Sequence, residues 1–109
     1  MPQDLKPIRL ISETERLSHK IGLSTFFYRR IPNGVSDKLR KAHTNQGQLD
    51  AITYGDEILR YCLLDWDNVY GDSGPVKFSV DLIPLLPDGF KAELLDRIRD
   101  PWVDNIEKK

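Results

Sequence analysis

The chain has 109 residues, enough for one domain and too few for two good cores, and its 39% hydrophobic and 30% charged residues fit a folded protein rather than a disordered one. Lys and Arg number 16 against 17 Asp and Glu, a net charge of −1 without the basic surplus that a phosphate-neutralising domain shows, so nucleic acid is not an expected partner. The single cysteine, Cys62, excludes an internal disulfide; no apolar run approaches the ~20 residues of a membrane span; and Met1–Lys6 lacks the apolar core of a signal peptide, so the expected setting is a cytoplasm, away from membranes.

One domain is expected over 1–109, with its core at about 7–99 and frayed ends at 1–6 and 101–109. Pro7 to Ile11 reads as a short edge strand with the proline at its mouth. Glu15 to Ile31 reads as a β-hairpin: Arg16–Ile21 is one arm, Gly22-Leu23 the turn and Ser24–Ile31 the other arm, rich in aromatic and β-branched residues. Alternation puts Phe27, Arg29 and Ile31 on one face and Phe26, Tyr28 and Arg30 on the other. Neither face is purely apolar, so both are expected to be partly covered.

Pro32-Asn33-Gly34 stops the strand, and Asn33 is the expected N-cap of a helix from about Gly34 to Thr44. The basic residues Lys38, Arg40, Lys41 and His43 read as its solvated face. Asn45-Gln46-Gly47 ends that helix. The central helix is expected over Leu49–Leu64, with Ala51, Ile52, Gly55, Ile58, Leu59, Cys62 and Leu63 on one apolar face. Gly55 costs roughly 1 kcal/mol there relative to Ala, which predicts a close crossing by a neighbouring element.

Asp65 to Gly74 reads as an acidic connector, across which Val69-Tyr70 and Val76-Lys77-Phe78 are placed to pair. Ser79 is the expected N-cap of a short helix ending before Pro84 or Pro87, with Phe78 and Ile83 as a hydrophobic staple. Asp88 is the expected cap of a last helix reaching about Arg99, with Phe90, Leu94, Leu95 and Ile98 facing inward. The fold class read from this order is α+β, mainly α: an N-terminal β-hairpin packed on a small bundle of about four helices.

No catalytic constellation emerges. Gly71-Asp72-Ser73-Gly74-Pro75 is similar to the nucleophile loop of chymotrypsin-like proteases, but lacks that motif's further Gly and the scaffold that would place His and Asp; it reads as a β-turn. Asp65, Asp67, Asn68 and Asp72 fail the EF-hand pattern, with Val69 and Tyr70 at positions where that loop needs other residues, and read as partners of turn backbone. His19, His43 and Cys62 lack zinc spacing, so neither metal nor cofactor is expected. Among the aromatics, Trp66 and Tyr70 in the connector and Trp102 beyond Pro101 are the ones expected to stay partly exposed. They are therefore the candidate partner-binding residues.

Three stretches carry a family resemblance: Lys20–Pro32, Leu59–Val69 and Gly74–Ser79. A helix, then Asp65-Trp66-Asp67-Asn68-Val69, a polar turn, Gly74-Pro75-Val76-Lys77-Phe78-Ser79 and a short helix together resemble small proteins encoded in the tail-gene clusters of tailed bacteriophages and prophages. Those are regarded as tail assembly chaperones or other minor tail proteins. Asp65 stands where Gly is frequent before the Trp. The resemblance covers roughly residues 20 to 98. It implies a non-enzymatic protein of the bacterial host cytoplasm that binds the long helical tape-measure protein, the tail-tube subunits or both. A structural tail or connector role, a host-protein-binding regulator and a homo-oligomer stay open. The family carries no agreed binding residues to transfer, so Trp66, Tyr70 and Trp102 rest on the exposure argument alone.

Overall fold

A computed structural model of the protein describes residues 7–102, so the frayed ends expected at 1–6 and 101–109 lie outside the described residues except for Pro101 and Trp102. Gly22 takes φ +59°, so the chain reverses in two residues. Strand β1 (Leu17–Ile21) then pairs antiparallel with β2 (Ser24–Tyr28), Leu17 opposite Tyr28 and Ile21 opposite Ser24. Phe26, Tyr28 and Arg30 are buried along one face, and Phe27, Arg29 and Ile31 are half-covered on the other. Part of that second cover is cationic: the Arg16 guanidinium lies 4.3 Å from the Phe27 ring centroid, and that of Arg29 lies 4.1 Å from Tyr61.

Helix α1 (Asn33–Ala42) starts one residue earlier than expected, and Asn33 does not cap it. Pro32, fixed at φ −66°, makes the extended entry, and its carbonyl accepts from the N–H groups of Val35 and Ser36. The same device opens α3 (Asp88–Arg99). Pro87 at φ −58° is its cap residue, and Asp88, the expected cap, falls inside the first turn. There its charge still suits the positive end of the helix. Two stretches of the form Pro-Asx-Gly thus do the same job, and in both the proline is the boundary.

Residues 43–50 do not simply end a helix. Strands β3 (Thr44–Asn45) and β4 (Gln48–Leu49) form a small hairpin whose turn residues Gln46 and Gly47 both have positive φ, 53° and 80°. Asp50 then caps α2 (Ala51–Cys62), its carboxylate accepting from the N–H and the hydroxyl of Thr53. Gly55, Ile58, Leu59 and Cys62 are buried as the spacing predicts, whereas Ile52 is exposed because only the last two turns of α2 reach the core. Helix α3 crosses at Gly55, where a Cβ would stand 3.4 Å from Leu95 Cδ1.

The expected helix through Leu64 stops at Cys62. Leu63 turns to φ −73°, ψ 129°, and Leu63–Asp67 becomes strand β5, which pairs with β2 to complete a three-stranded antiparallel sheet ordered β1-β2-β5. Phe26 faces Trp66, Phe27 faces Asp65 and Tyr28 faces Leu63, so Leu64 is an extra residue at a β-bulge. Beyond the strand, Arg29 N–H donates to Cys62 O at 2.8 Å, fastening the sheet to the helix end. A continuous apolar run of this length fits a helix or a buried strand equally well, and the unpaired edge of β2 decides for the strand.

A 3-10 helix spans Val80–Leu85, capped by the Ser79 hydroxyl at Asp81 N–H. It passes through Pro84 and ends before Pro87, with Leu86 extended, the conformation that a following proline favours. On α3, Leu94 and Ile98 are buried, while Phe90 points out, 45% exposed, because the first turn of α3 overhangs the core. The result is an α+β fold in which Leu17, Tyr28, Leu59, Cys62, Ile83 and Leu94 are the most completely buried side chains.

Residues 7–12 form no strand, contrary to expectation; they are held instead by one buried side chain. Arg30 donates from Nε and Nη2 to the Glu15 carboxylate, both at 2.9 Å, and from Nη1 and Nη2 to the carbonyls of Arg9 and Leu10. Glu15 also accepts from the Arg30 N–H at 2.8 Å and the Ser12 N–H at 3.2 Å. Burial alone pushes the Glu15 carboxyl up, but these hydrogen bonds and the guanidinium charge outweigh it and hold it below its ordinary value of 4.5.

The stability due to Glu15 is therefore complete above that ordinary value and is lost as pH falls through the lowered folded one. Glu15→Ala, which leaves the Arg30 charge buried without its counterion, is expected to cost about 3 kcal/mol or more in urea unfolding at neutral pH. The same variant should flatten the acid limb of the stability–pH curve. Gly55→Ala is expected to act oppositely, raising stability by roughly 0.5–1 kcal/mol, because the new methyl reaches only the flexible end of Leu95 while helix propensity improves.

Candidate functional site

Trp66 is expected to stay partly exposed, but β5 places it inside. It is 5% exposed, with Phe26 and Phe78 both edge-on to it at centroid distances of 6.1 and 5.1 Å. Its strand position explains the difference: opposite Phe26, on the face of β5 that meets the core, an indole has nowhere else to go. The one polar atom of the indole is satisfied, since Nε1 donates to Val76 O at 2.9 Å.

That hydrogen bond positions the acidic connector. Strands β6 (Tyr70–Gly71) and β7 (Gly74–Pro75) pair across it, and Val76 N–H donates to Val69 O at 2.9 Å, close to the pairing the sequence predicts. A Cβ on Gly71 would come within 3.2 Å of Val76 Cγ1, so glycine lets the two strands close. At the other end Asn68, in the left-handed region at φ 63°, donates from Nδ2 to Leu23 O, and the Ser24 hydroxyl donates to Asn68 O. The connector is thus fixed to the tip of the first hairpin, and Asn68 serves turn backbone as the sequence reading proposes.

Between this small hairpin and the 3-10 helix lies an apolar groove of about 210 Å³, bounded by Trp66, Val69, Tyr70, Gly71, Val76, Leu82, Leu85, Leu86 and Pro87. Its floor is closed by Trp66 and Leu86, both buried. Its lips stand open: Tyr70 is 65% exposed and Leu85 77%. The groove is smaller than the roughly 300–1,000 Å³ of small-molecule sites, so its size suits an inserted side chain better than a metabolite. Of the three candidate residues, Trp66 and Tyr70 are brought together here, one as floor and one as lip. Trp102 is half-buried, its N–H donating to Asp100 Oδ1, and takes no part in the groove. Leu82, Leu85 and Leu86 are the contributors that sequence reading missed. The signal was present in Leu82-Ile83-Pro84-Leu85-Leu86-Pro87, a run too apolar to be buried whole and too broken by proline to form a long helix.

A larger cleft of about 550 Å³ runs beneath residues 8–11, beside Ile31, Ser36, Tyr54, Ile98 and Asp100. Several of its polar side chains are engaged by the fold. Arg30 is occupied as described, Ser36 Oγ lies 3.2 Å from Tyr54 Oη, and Asp100 accepts from Arg97 and from the Trp102 N–H. Groups committed in this way are not free to orient a ligand, whereas Arg9, Asn33 and Arg99 also line the cleft. Cys62 is buried at the end of α2, and burial pushes its thiol up to about 12, with Arg29 offsetting only part of the effect; the thiol is protonated and unreactive near neutral pH. His19 Nε2 lies 2.7 Å from Glu93 Oε2, a hydrogen bond joining β1 to α3. Among the described residues, no group of three or more His, Cys, Asp and Glu side chains gathers to hold a metal ion, and no helix is long and apolar enough to cross a membrane.

No family model, no curated protein and no solved structure matches this chain.

The division of labour at the groove is open to a direct check. Trp66→Ala is expected to cost about 3–5 kcal/mol, since it removes the shared ring packing and an internal hydrogen bond. Tyr70→Ala, at an exposed lip, should stay within about 0.5 kcal/mol of the parent protein. Chemical denaturation of the two variants reads both numbers.

Proposed function

We propose that the protein is a non-enzymatic tail assembly chaperone of a tailed bacteriophage or prophage, and that it holds the tape-measure protein, tail-tube subunits or both in the host cytoplasm until the tail assembles. The observation that carries this reading is the groove itself: an open, side-chain-sized apolar socket with a rigid aromatic floor and two exposed lips, Tyr70 and Leu85. The motif behind the resemblance and the groove coincide. Trp66, Val69 and Val76 line it, Phe78 packs on Trp66, and Ser79 caps the 3-10 helix whose leucines form the far wall. A client helix laid across the groove would insert one or two apolar side chains and leave its polar face in water. A socket this small gives weak, replaceable binding, which suits a client that tube subunits must later take over.

The test is co-expression with the long helical protein encoded beside this gene, after sequencing the flanking DNA. The wild-type protein is expected to keep that client soluble and to co-purify with it. The Tyr70→Ala/Leu85→Ala variant, folded by circular dichroism, should lose at least about tenfold in affinity, as removal of interface anchors does. The protein should be absent from purified virions; its presence there in fixed copy number would make it a structural tail or connector protein instead. A gene with no morphogenesis genes around it would remove the main support for a tail role and favour binding of a host protein.

A further inference from the structure

The charged residues next in sequence to the groove lining are mostly acidic, and that narrows what enters it. Asp72, Asp81 and Asp88 each directly adjoin a lining residue: Gly71, Leu82 and Pro87. All three are exposed, Asp81 and Asp88 almost fully. The one cation that adjoins a lining residue is Lys77, next to Val76. Asp65 and Asp67 alternate with Trp66 along β5 and so belong to its opposite face.

These carboxylates are barely neutralised from within. Asp72 has no ion-pair partner among the described residues. Asp81 has only a 3.8 Å approach from Arg60, whose guanidinium stands equally near Glu57. Asp88 has only a 3.8 Å approach from Lys91, whose ammonium sits at 2.9 Å from Asp56. A chain with a net charge of only −1 thus carries three weakly neutralised carboxylates next in sequence to the lining of its open apolar socket.

We infer that the occupant is a cationic amphipathic segment of another protein, with an apolar anchor for the socket and Lys or Arg residues on both sides of it. This rests on the groove being the client site. Apolar insertion supplies the contact, and these carboxylates select the sign of the flanks and speed encounter. A segment with acidic flanks would bring like charges together at three places and be rejected. The three charges face water, so their share of the binding fades as salt shortens the screening length.

The experiment uses two fluorescein-labelled helical peptides of roughly 20 residues, long enough to hold a helix. They share one Leu/Phe stripe and differ only in Lys or Glu flanks. Anisotropy with the full chain is expected to show the Lys peptide binding roughly tenfold tighter at low salt, a preference that shrinks as salt is raised. The variant Asp72→Asn/Asp81→Asn/Asp88→Asn, which keeps the side-chain shapes, should bind both peptides with similar affinity. Leu85→Asp should abolish binding of both. Equal, salt-insensitive binding of the two peptides by the wild-type protein would overturn the charge selection and leave the groove as an apolar client site. Failure of both peptides to bind the wild-type protein would overturn the selection and the groove reading together.

Discussion

The pairing of β2 with β5 is the constraint on which the rest of the molecule depends. It makes helix α2 end at Cys62, because Leu63 must turn extended to meet Tyr28, and it carries Trp66 to a place opposite Phe26. Without it the hairpin would be two strands, which are marginal alone in water. With it, a sheet face of Leu17, Phe26, Tyr28 and Leu63 meets Leu59, Ile83, Leu94 and Ile98 from the helices, giving one continuous core. Everything at the groove is downstream of that strand. The indole fixes Val76, Val76 fixes the small hairpin, and the hairpin stands opposite the 3-10 helix.

Local chemistry was legible wherever a residue has only one physical use. Gly22 and Leu23 announce a two-residue turn; Leu17–Ile21 and Ser24–Tyr28 follow from it; Ser79 caps what comes after it; Gly55 marks the crossing by α3. What was not legible depends on partners distant in sequence. The run Ile58–Leu64 has no internal reason to change from helix to strand after Cys62, and the reason lies some 35 residues earlier at the unpaired edge of β2. Composition around Trp66, an aromatic among Asp and Asn, argues for exposure, yet alternation within a strand buries it between two acidic neighbours that face the other way. The caps failed for a different reason. At 32–34 and 87–89 both Pro and Asx favour a helix start, and the proline's fixed φ wins the boundary.

The N-terminal stretch shows a side chain doing work that a strand was expected to do. Ile8 and Leu10 point outward, 83% and 88% exposed, so apolar burial does not hold residues 7–12 in place. Arg30 does, by donating to two successive carbonyls while Glu15 neutralises it. Arginine suits this position because its planar fork serves a carboxylate and backbone oxygens at once, which a lysine ammonium does less well. A buried pair of this kind adds little net stability compared with an apolar core, but it specifies one path for the chain. Sequence patterning sees only apolar alternation at Ile8 and Leu10, and it has no means of registering a carbonyl held by a residue some 20 positions away.

The groove combines a rigid floor with open lips, and the two have different origins. Trp66, Leu86 and the aromatic neighbours belong to the core, so the floor is as firm as the fold. Tyr70 sits on a two-residue strand and Leu85 at the end of a six-residue 3-10 helix, both short elements with exposed side chains. Lips of this kind can adjust to an inserted side chain without disturbing the core, because neither carries core packing. They also limit how tightly anything is held, since ordering exposed side chains costs part of what their burial contributes. A preformed floor suits any fitting apolar anchor, while the neighbouring carboxylates, on the inference above, would discriminate by charge and not by shape. On the reading proposed above, the combination would recognise a class of segments rather than one sequence, as covering a long, repetitive client and then releasing it requires.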